Sequence, residues 1–381
     1  MALYPIQSVK IVFLLSLIIC VRSFVDANSC GEKLSTRLEQ DVFTKHRLMS
    51  RVFESQPINT PLECHVKCMK NCRCLSYNIC NGGKLCELNS EKKENNISLY
   101  KQSDTCDYYE YEFIKLSPSG NCLDPCCSTS NPCLHGAHCQ STCMKNDKRF
   151  QCHCTPGYGG KHCETPKTCA AYAKYSPGVQ VIYTQDNSPI TVFCHFDSET
   201  KIAMTLVMSF NRSNSPSFRP HSLENDFARN ENSQNWGDYR LRKPWMEGIR
   251  DYGSTHWIYT CSYHTRGLSS IDYLRSKFTE TDILTYQFTP ESFCKNKMEY
   301  INILGKSCKQ CATATGQGDV IFNVNSRDVN CGGLDGVIRA GCPTPDGTPV
   351  TFFGHYQCYW LPFSCTASAS ATTQLWFGQH V

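Results

Sequence analysis

The residues of this sequence best suited to chemistry are its cysteines. Cys308-Lys-Gln-Cys311 has the two-residue spacing of a redox or metal-binding dithiol, but no second such pair accompanies it. A lone pair in a chain this rich in sulfur is better explained by disulfide bonding. Near Cys152 and Cys154, the imidazoles of His135, His138, His153 and His162 offer nitrogen ligands of the kind zinc takes. With the neighbouring thiols consumed in disulfides the soft ligands are gone, and these histidines read as solvated surface residues. No Gly-x-Ser-x-Gly elbow, His-Glu-x-x-His helix or phosphate-cradling glycine loop occurs. The chemistry to expect is therefore cross-linking; no catalytic residue, metal or cofactor is predicted.

That expectation requires an oxidising compartment, and the first residues supply a route to one. Lys10 precedes the apolar runs Ile11–Leu15 and Leu17–Val21, and small residues suited to cleavage follow at Ser23 and Ala27. This is the pattern of a secretory signal peptide, taken here as residues 1–23. A membrane span needs about twenty apolar residues, and Arg22 and Asp26 end this run too soon. The last residues, Leu375–Val381, lack the tail of a lipid-anchor signal, so no membrane anchor is expected.

Of the 28 cysteines, Cys20 departs with the leader, leaving an odd 27. Seventeen fall between residues 24 and 166 and ten in the following 215 residues. The first stretch should thus be small modules stapled by disulfides, because such short chains bury too little apolar surface to fold otherwise. All five tryptophans lie after residue 167, where a larger core can form. The formal charge of +4, about +2 once Lys10 and Arg22 are removed, comes without a basic block. Nucleic acid is not predicted as a partner.

Cys64 and Cys68 stand four apart, on one face if the segment is helical, with Pro61 suited to the first turn and Thr60 to the cap. Cys74–Asn78 and Leu85–Leu88 read as strands, and the aromatic run Tyr108–Phe113 as a closing one. Glu63-Cys64, Cys68, Cys74-Leu-Ser-Tyr-Asn and Cys86-Glu-Leu together resemble the core of an apple (PAN) domain, placed at residues 28–115. The resemblance implies an α+β fold, the disulfides Cys30–Cys106, Cys64–Cys86 and Cys68–Cys74, and binding of proteins or carbohydrates. Cys72 and Cys80 remain, and a local bridge between them is our own expectation.

In the next segment, Asn131-Pro-Cys133-Leu-His-Gly136-Ala-His-Cys139 and Cys152-His-Cys154-Thr-Pro-Gly157-Tyr158-Gly-Gly160-Lys-His-Cys163 resemble the two halves of an EGF-like domain, residues 122–164. Its glycines suit tight turns of positive φ, with Tyr158 packing over the hairpin. The resemblance implies a small β module with Cys127–Cys139, Cys133–Cys152 and Cys154–Cys163. Cys122, Cys126 and Cys143 are then surplus. One bridge, such as Cys126–Cys143, would leave an odd thiol in residues 122–143 free or bonded to another molecule. Oxygen ligands around Asp124 and Gln140 are too few for calcium.

Residues 167–381 open with Cys169, the strand-like Gly178–Tyr183, a turn at Asp186–Pro189 and the strand-like Ile190–Phe196 holding Cys194. These resemble the start of a fibrinogen-like C-terminal module, an α+β fold whose first disulfide would be Cys169–Cys194. Ile202–Val207 keeps the Thr-Leu-Val of the family's next strand but not its Gly-Gly-Trp, and the calcium loop before Asn330-Cys331 has only Asp328. Eight cysteines, from Cys261 to Cys365, form an even set with pairings left open. Trp236, Tyr239 and Trp245, in a loop-rich stretch, are the candidate ligand-binding residues. Asn96-Ile-Ser98 and Asn211-Arg-Ser213 are glycosylation sequons expected on exposed loops.

The whole reads as a disulfide-rich, secreted, non-enzymatic adhesion or recognition protein whose partners are extracellular proteins or glycans. The combination of modules is similar to cnidarian extracellular proteins, including those of coral skeletal matrix, so a framework role in a mineralising matrix is the alternative. With 34 acidic against 38 basic residues, direct mineral binding is not expected.

Overall fold

The computed structural model describes residues 9–15, 36–111, 126–142, 148–175, 177–287, 296–317, 320–325, 351–354, 356 and 362–381. Cys30, Cys122, Cys143, Cys294, Cys331, Cys342, Cys358 and Trp360 lie outside these. The chain divides into two compact units, residues 1–154 with 161–163, and residues 155–160 with 164–381.

The first unit is built on a six-stranded antiparallel sheet. In chain order its strands are β1 (Val9–Leu15), β2 (Thr36–Phe43), β4 (Val52–Pro57), β5 (Ser76–Cys80), β6 (Leu85–Asn89) and β8 (Cys106–Glu110), arranged β1-β2-β8-β5-β6-β4. The apolar run read as a leader forms β1, an edge strand against β2. A short ribbon, β3 (His46–Leu48) with β7 (Tyr100–Gln102), completes the set. It is tied to the sheet through Asn78, whose buried amide exchanges hydrogen bonds with the Leu48 N–H and C=O, 3.0 and 3.1 Å.

Helix α1 (Pro61–Lys70) starts where the sequence dictates. Thr60 accepts from the Glu63 N–H, Pro61 sits in the first turn, and the Glu63 carboxylate accepts from the Asn59 N–H at 3.0 Å. Cys64 and Cys68 share its buried face. They bond to Cys86 on β6 and to Cys74, so the helix is stapled over a core of Ile58, Tyr77, Ile79, Leu88 and Tyr111.

Two expected bridges are corrected. Cys106 bonds to Cys80, not Cys30, because β5 and β8 pair in a register that sets Cys80 directly opposite Cys106, with Cα atoms 4.0 Å apart. That leaves Cys72, in the turn after α1, without Cys80. Cys72 bonds instead to Cys126, and with Cys126 used there the Cys126–Cys143 alternative is excluded. Cys126 opens the short helix α2 (Cys126–Thr129), which precedes the hairpin β9 (His138–Ser141) and β10 (Phe150–His153). Here Cys127–Cys139, Cys133–Cys152 and Cys154–Cys163 are formed.

The second unit begins inside the module boundary read from sequence. β11 (Tyr158–Gly159) pairs with β12 (Thr165–Pro166), and a 3₁₀ turn follows over Cys169–Tyr175. Gly157, at φ +86°, lies so close to Ala171 that a Cβ would sit 2.1 Å from the Ala171 nitrogen. The Tyr158 hydroxyl donates to the Ala171 carbonyl, so this aromatic anchors the 3₁₀ turn rather than covering its own hairpin.

The remaining strands are β13 (Gly178–Tyr183), β14 (Pro189–Asp197), β15 (Ile202–Asn211), β16 (Asp238–Arg240), β17 (His256–Cys261), β18 (Tyr273–Lys277), β19 (Asn296–Ile303), β20 (Lys306–Gly316), β21 (Asn323–Asn325), β22 (Thr351–Phe352) and β23 (Thr372–His380). They form one sheet in the order β13-β14-β15-β23-β17-β18-β19-β20-β21-β22, with β16 also on β15. The last strand in sequence is thus central, antiparallel to both β15 and β17. Trp376 on β23 and Trp257 on β17 are fully buried, and their indole N–H groups donate to Thr260 Oγ1 and the Thr281 carbonyl, both at 2.9 Å. Cys169–Cys194 ties the 3₁₀ turn to β14, Cys261–Cys365 closes the end of β17, and Cys308 bonds to Cys311 within β20.

Candidate binding surfaces

Arg149, just before β10, is 1% exposed. One terminal nitrogen donates to the carbonyls of Cys68, Asn71 and Cys74 at 2.8, 2.9 and 3.0 Å, and the other to that of Met69 at 2.6 Å. These carbonyls belong to the last turn of α1 and the loop after it, where backbone acceptors lack helical partners and the helix dipole is negative. The guanidinium also stacks 4.2 Å above the Tyr111 ring. Beside it, Thr129 Oγ1 donates to the Lys70 carbonyl at 2.8 Å, and Cys72–Cys126 closes the same corner covalently. Nothing local to Lys148-Arg149 marks this role, because the acceptors are 75 to 81 residues away.

His65 lies on the same helix, 7% exposed, with Nδ1 3.3 Å from the Tyr77 hydroxyl and its ring tilted against Tyr111. Burial, aided by the nearby Arg149 charge, lowers its pKa to about 4. It is therefore neutral at physiological pH.

The sulfurs of Cys72, Cys127 and Cys139 lie within 4.8 Å of one another, yet each is bonded in a disulfide and offers no thiolate to a metal. His135, His138 and His153 are exposed. His162 is half-buried, with Nδ1 3.0 Å from the Pro132 carbonyl.

In the second unit the three aromatics singled out from sequence do not form one surface. Tyr239 is fully buried on β16 and belongs to the core, which corrects its reading as a ligand contact. Its neighbour on β16, Arg240, is fully buried as well. Trp236 is half-buried against Phe193, Tyr263, His264 and Trp376. Trp245, on helix α4 (Lys243–Asp251; α3 is Ser215–Phe218), lies under the Arg242 guanidinium at 4.5 Å and beside a crevice of only about 10 Å³. Two open clefts occur elsewhere. One, about 260 Å³, is lined by His264, Arg266 and serines including Ser262 and Ser364. The other, about 420 Å³, lies between the edge strand β13 and the segment Glu164–Pro166.

Asn211 is the last residue of β15, not a loop position. It is half-buried, with Oδ1 accepting from the Asn214 N–H at 2.9 Å and Nδ2 turned toward Gly237, 2.8 Å from where a Cβ would stand. The backbone of Asn96 lies in a 3₁₀ turn over Lys93–Leu99, and its side chain is outside the described set. We expect Asn211 to carry no glycan, since one on Nδ2 would meet the Gly237 backbone. Intact-mass analysis before and after deglycosylation, with site-resolved peptides, checks this; an occupied Asn211 peptide would refute it.

The sheet-plus-helix unit and the small cysteine hairpins define a multidomain, disulfide-built, mostly β chain of the kind common outside cells. The PAN domain family model matches residues 36–113, and the EGF-like domain model matches residues 127–162. The chain therefore contains a PAN domain followed by an EGF-like domain, both commonly modules of extracellular adhesion or recognition. No solved structure matches the chain. Among the described residues, no helix is long and apolar enough to cross a membrane.

Proposed function

We propose that this chain is a secreted adhesion or recognition protein that binds extracellular proteins or glycans and performs no catalysis. The observation that carries this is the sulfur chemistry: all twenty described cysteines are paired in disulfides, across modules whose families work outside cells. Residues 1–23 are its signal, and their removal leaves β2 as the sheet edge. Of the 27 cysteines that remain, the seven outside the described set are an odd number, so at least one lacks an intramolecular partner and can join another chain, with Cys122 and Cys143 among them.

Residues 167–381 are proposed as a fibrinogen-like module that binds without calcium. The Cys169–Cys194 bridge, the β13–β14 hairpin and Thr205-Leu-Val on β15 support that reading. The full chain, expressed through a secretory pathway, should appear in the medium beginning near Phe24. It should then bind members of an array of extracellular glycans and proteins equally with and without chelator. Retention inside the cell, an absence of binding, or binding lost to chelator each goes against the proposal.

The Cys72–Cys126 bridge yields a sharper check of the covalent framework. Non-reducing peptide mapping should recover Cys72 and Cys126 in one cross-linked peptide and Cys80 with Cys106 in another. Recovery of Cys72 joined to Cys80 would contradict the fold described here.

A further inference from the structure

We propose that the cleft beside β13 is a binding site for a neutral oligosaccharide, with a pyranose laid on Tyr172 and Tyr183 and its hydroxyls held by Asn187 and Glu164. This rests on the recognition role above and names its ligand class and place.

At about 420 Å³ the cleft is within the range of small-ligand sites, roughly 300–1,000 Å³. Its walls combine two kinds of surface. Tyr172 and Tyr183 are half-buried aromatics, and Val181 between them is 42% exposed at the open edge of the sheet. The Tyr172 ring is fixed, because its hydroxyl donates to the Val181 carbonyl at 2.6 Å. A pre-set aromatic face next to an exposed aliphatic one suits the C–H face of a sugar ring, and holding it in place lowers the entropy lost on binding.

The polar groups complete the match. Asn187 stands at φ 62° at the tip of the β13–β14 hairpin, and its Oδ1 accepts from Lys167 Nζ at 2.9 Å. That contact fixes which end of the amide is which. Among the described residues its Nδ2 has no hydrogen-bond partner, so two N–H donors remain for a ligand. Glu164 is placed by Gly160, whose missing Cβ would lie 2.5 Å from Glu164 Oε2. A carboxylate acceptor and an amide donor on one cleft form the pair that vicinal hydroxyls, each both donor and acceptor, can satisfy.

Charge decides against the main rival. An acid among tyrosines also suits a cationic side chain, through cation–π contact. Here, however, the Lys167 ammonium sits against Asn187, interacts with Glu164 and Asp186, and offsets the carboxylate charge. That ammonium already neutralises part of the carboxylate charge a second cation would need, whereas a neutral, hydroxyl-rich ligand needs none of it.

Titration of the full chain with neutral oligosaccharides of glucose, galactose, mannose and N-acetylglucosamine, followed by saturation-transfer NMR and calorimetry, tests the site. At least one should bind, and Asn187→Gly and Tyr183→Ala should each weaken it about tenfold, as loss of one good polar or stacking contact does. Asn187→Gly is the safer variant, because glycine accepts the positive φ without strain. Glu164→Gln should weaken sugar binding less, about threefold, since its amide oxygen still accepts. The proposal fails if no neutral sugar binds, if N187G leaves binding unchanged, or if a lysine-rich peptide binds instead and is lost in Glu164→Gln. If the N187G chain loses sugar binding but still captures array proteins, the cleft is confirmed and the broader role has further surfaces. If wild-type and N187G chains capture the array alike and no sugar binds, the cleft is wrong while the recognition role stands.

Discussion

Replacing Arg149 by methionine should loosen the corner where the EGF-like hairpin meets the last turn of α1, at a cost of about 3–5 kcal/mol to that corner. The guanidinium serves four backbone carbonyls at once, those of Cys68, Met69, Asn71 and Cys74. Methionine fills much of the same volume but donates nothing, so all four carbonyls lose this donor and those of Cys68 and Asn71 keep only the backbone N–H groups of Asn71 and Cys74. Four disulfides close by, including Cys68–Cys74 and Cys72–Cys126, will keep the chain from coming apart. The effect should therefore appear locally. Hydrogen exchange on the full chain should quicken at residues 66–75 and 148–153 and stay unchanged in β15, β17 and β23. Arg149→Lys should recover only part of the protection, because one ammonium carries three donors and cannot span four acceptors fixed around a planar fork. Unchanged exchange in R149M would mean that the disulfides alone define the joint.

What could be read from the sequence was local, and what could not was set by pairing at a distance. The helix over Pro61–Lys70 follows from Thr60, Pro61 and the i, i+4 cysteines, all within ten residues of one another. The bridge Cys80–Cys106 depends on the register of β5 against β8, which only the folded sheet fixes. Elimination within the module therefore assigned Cys72 to the wrong partner. The role of Arg149 is illegible for the same reason, since its acceptors lie 75 to 81 residues away. In the second unit the hairpin β13–β14 was legible from its turn, whereas the central place of β23 was not. Nothing in Thr372–His380, with its two threonines and two glutamines, names β15 and β17 as its neighbours or marks it as a strand buried on both faces. Aromatic content marked where a core would form. It did not separate Tyr239, which builds that core, from Tyr172 and Tyr183, which line a cleft.

Acidification should weaken the same corner of the first unit before most carboxylates begin to protonate. His65 has a folded pKa of about 4, against about 6.5 in an unfolded chain. Between those values the unfolded state binds the proton and the folded state does not, so stability falls as pH falls through this window. It is fully present above about pH 6.5, and the loss approaches about 3 kcal/mol near pH 4, at 1.36 kcal/mol per pKa unit. The physical source is the cost of placing a charged imidazole against Tyr77 and Tyr111, out of water and near the Arg149 guanidinium. The second unit holds histidines shifted the same way, among them His195 and His256. A global melting curve would therefore mix the two units. Hydrogen exchange over residues 61–70 of the full chain at pH 7, 6, 5 and 4.5, corrected for the intrinsic pH dependence of exchange, isolates the first. Protection there should decline steadily below pH 6.5. In His65→Gln, which keeps a polar side chain but has no group titrating in this range, protection should hold level down to about pH 4.5, the ordinary range of carboxylates. A wild-type profile as flat as that of the variant would show that the buried imidazole is not what makes this corner sensitive to acid.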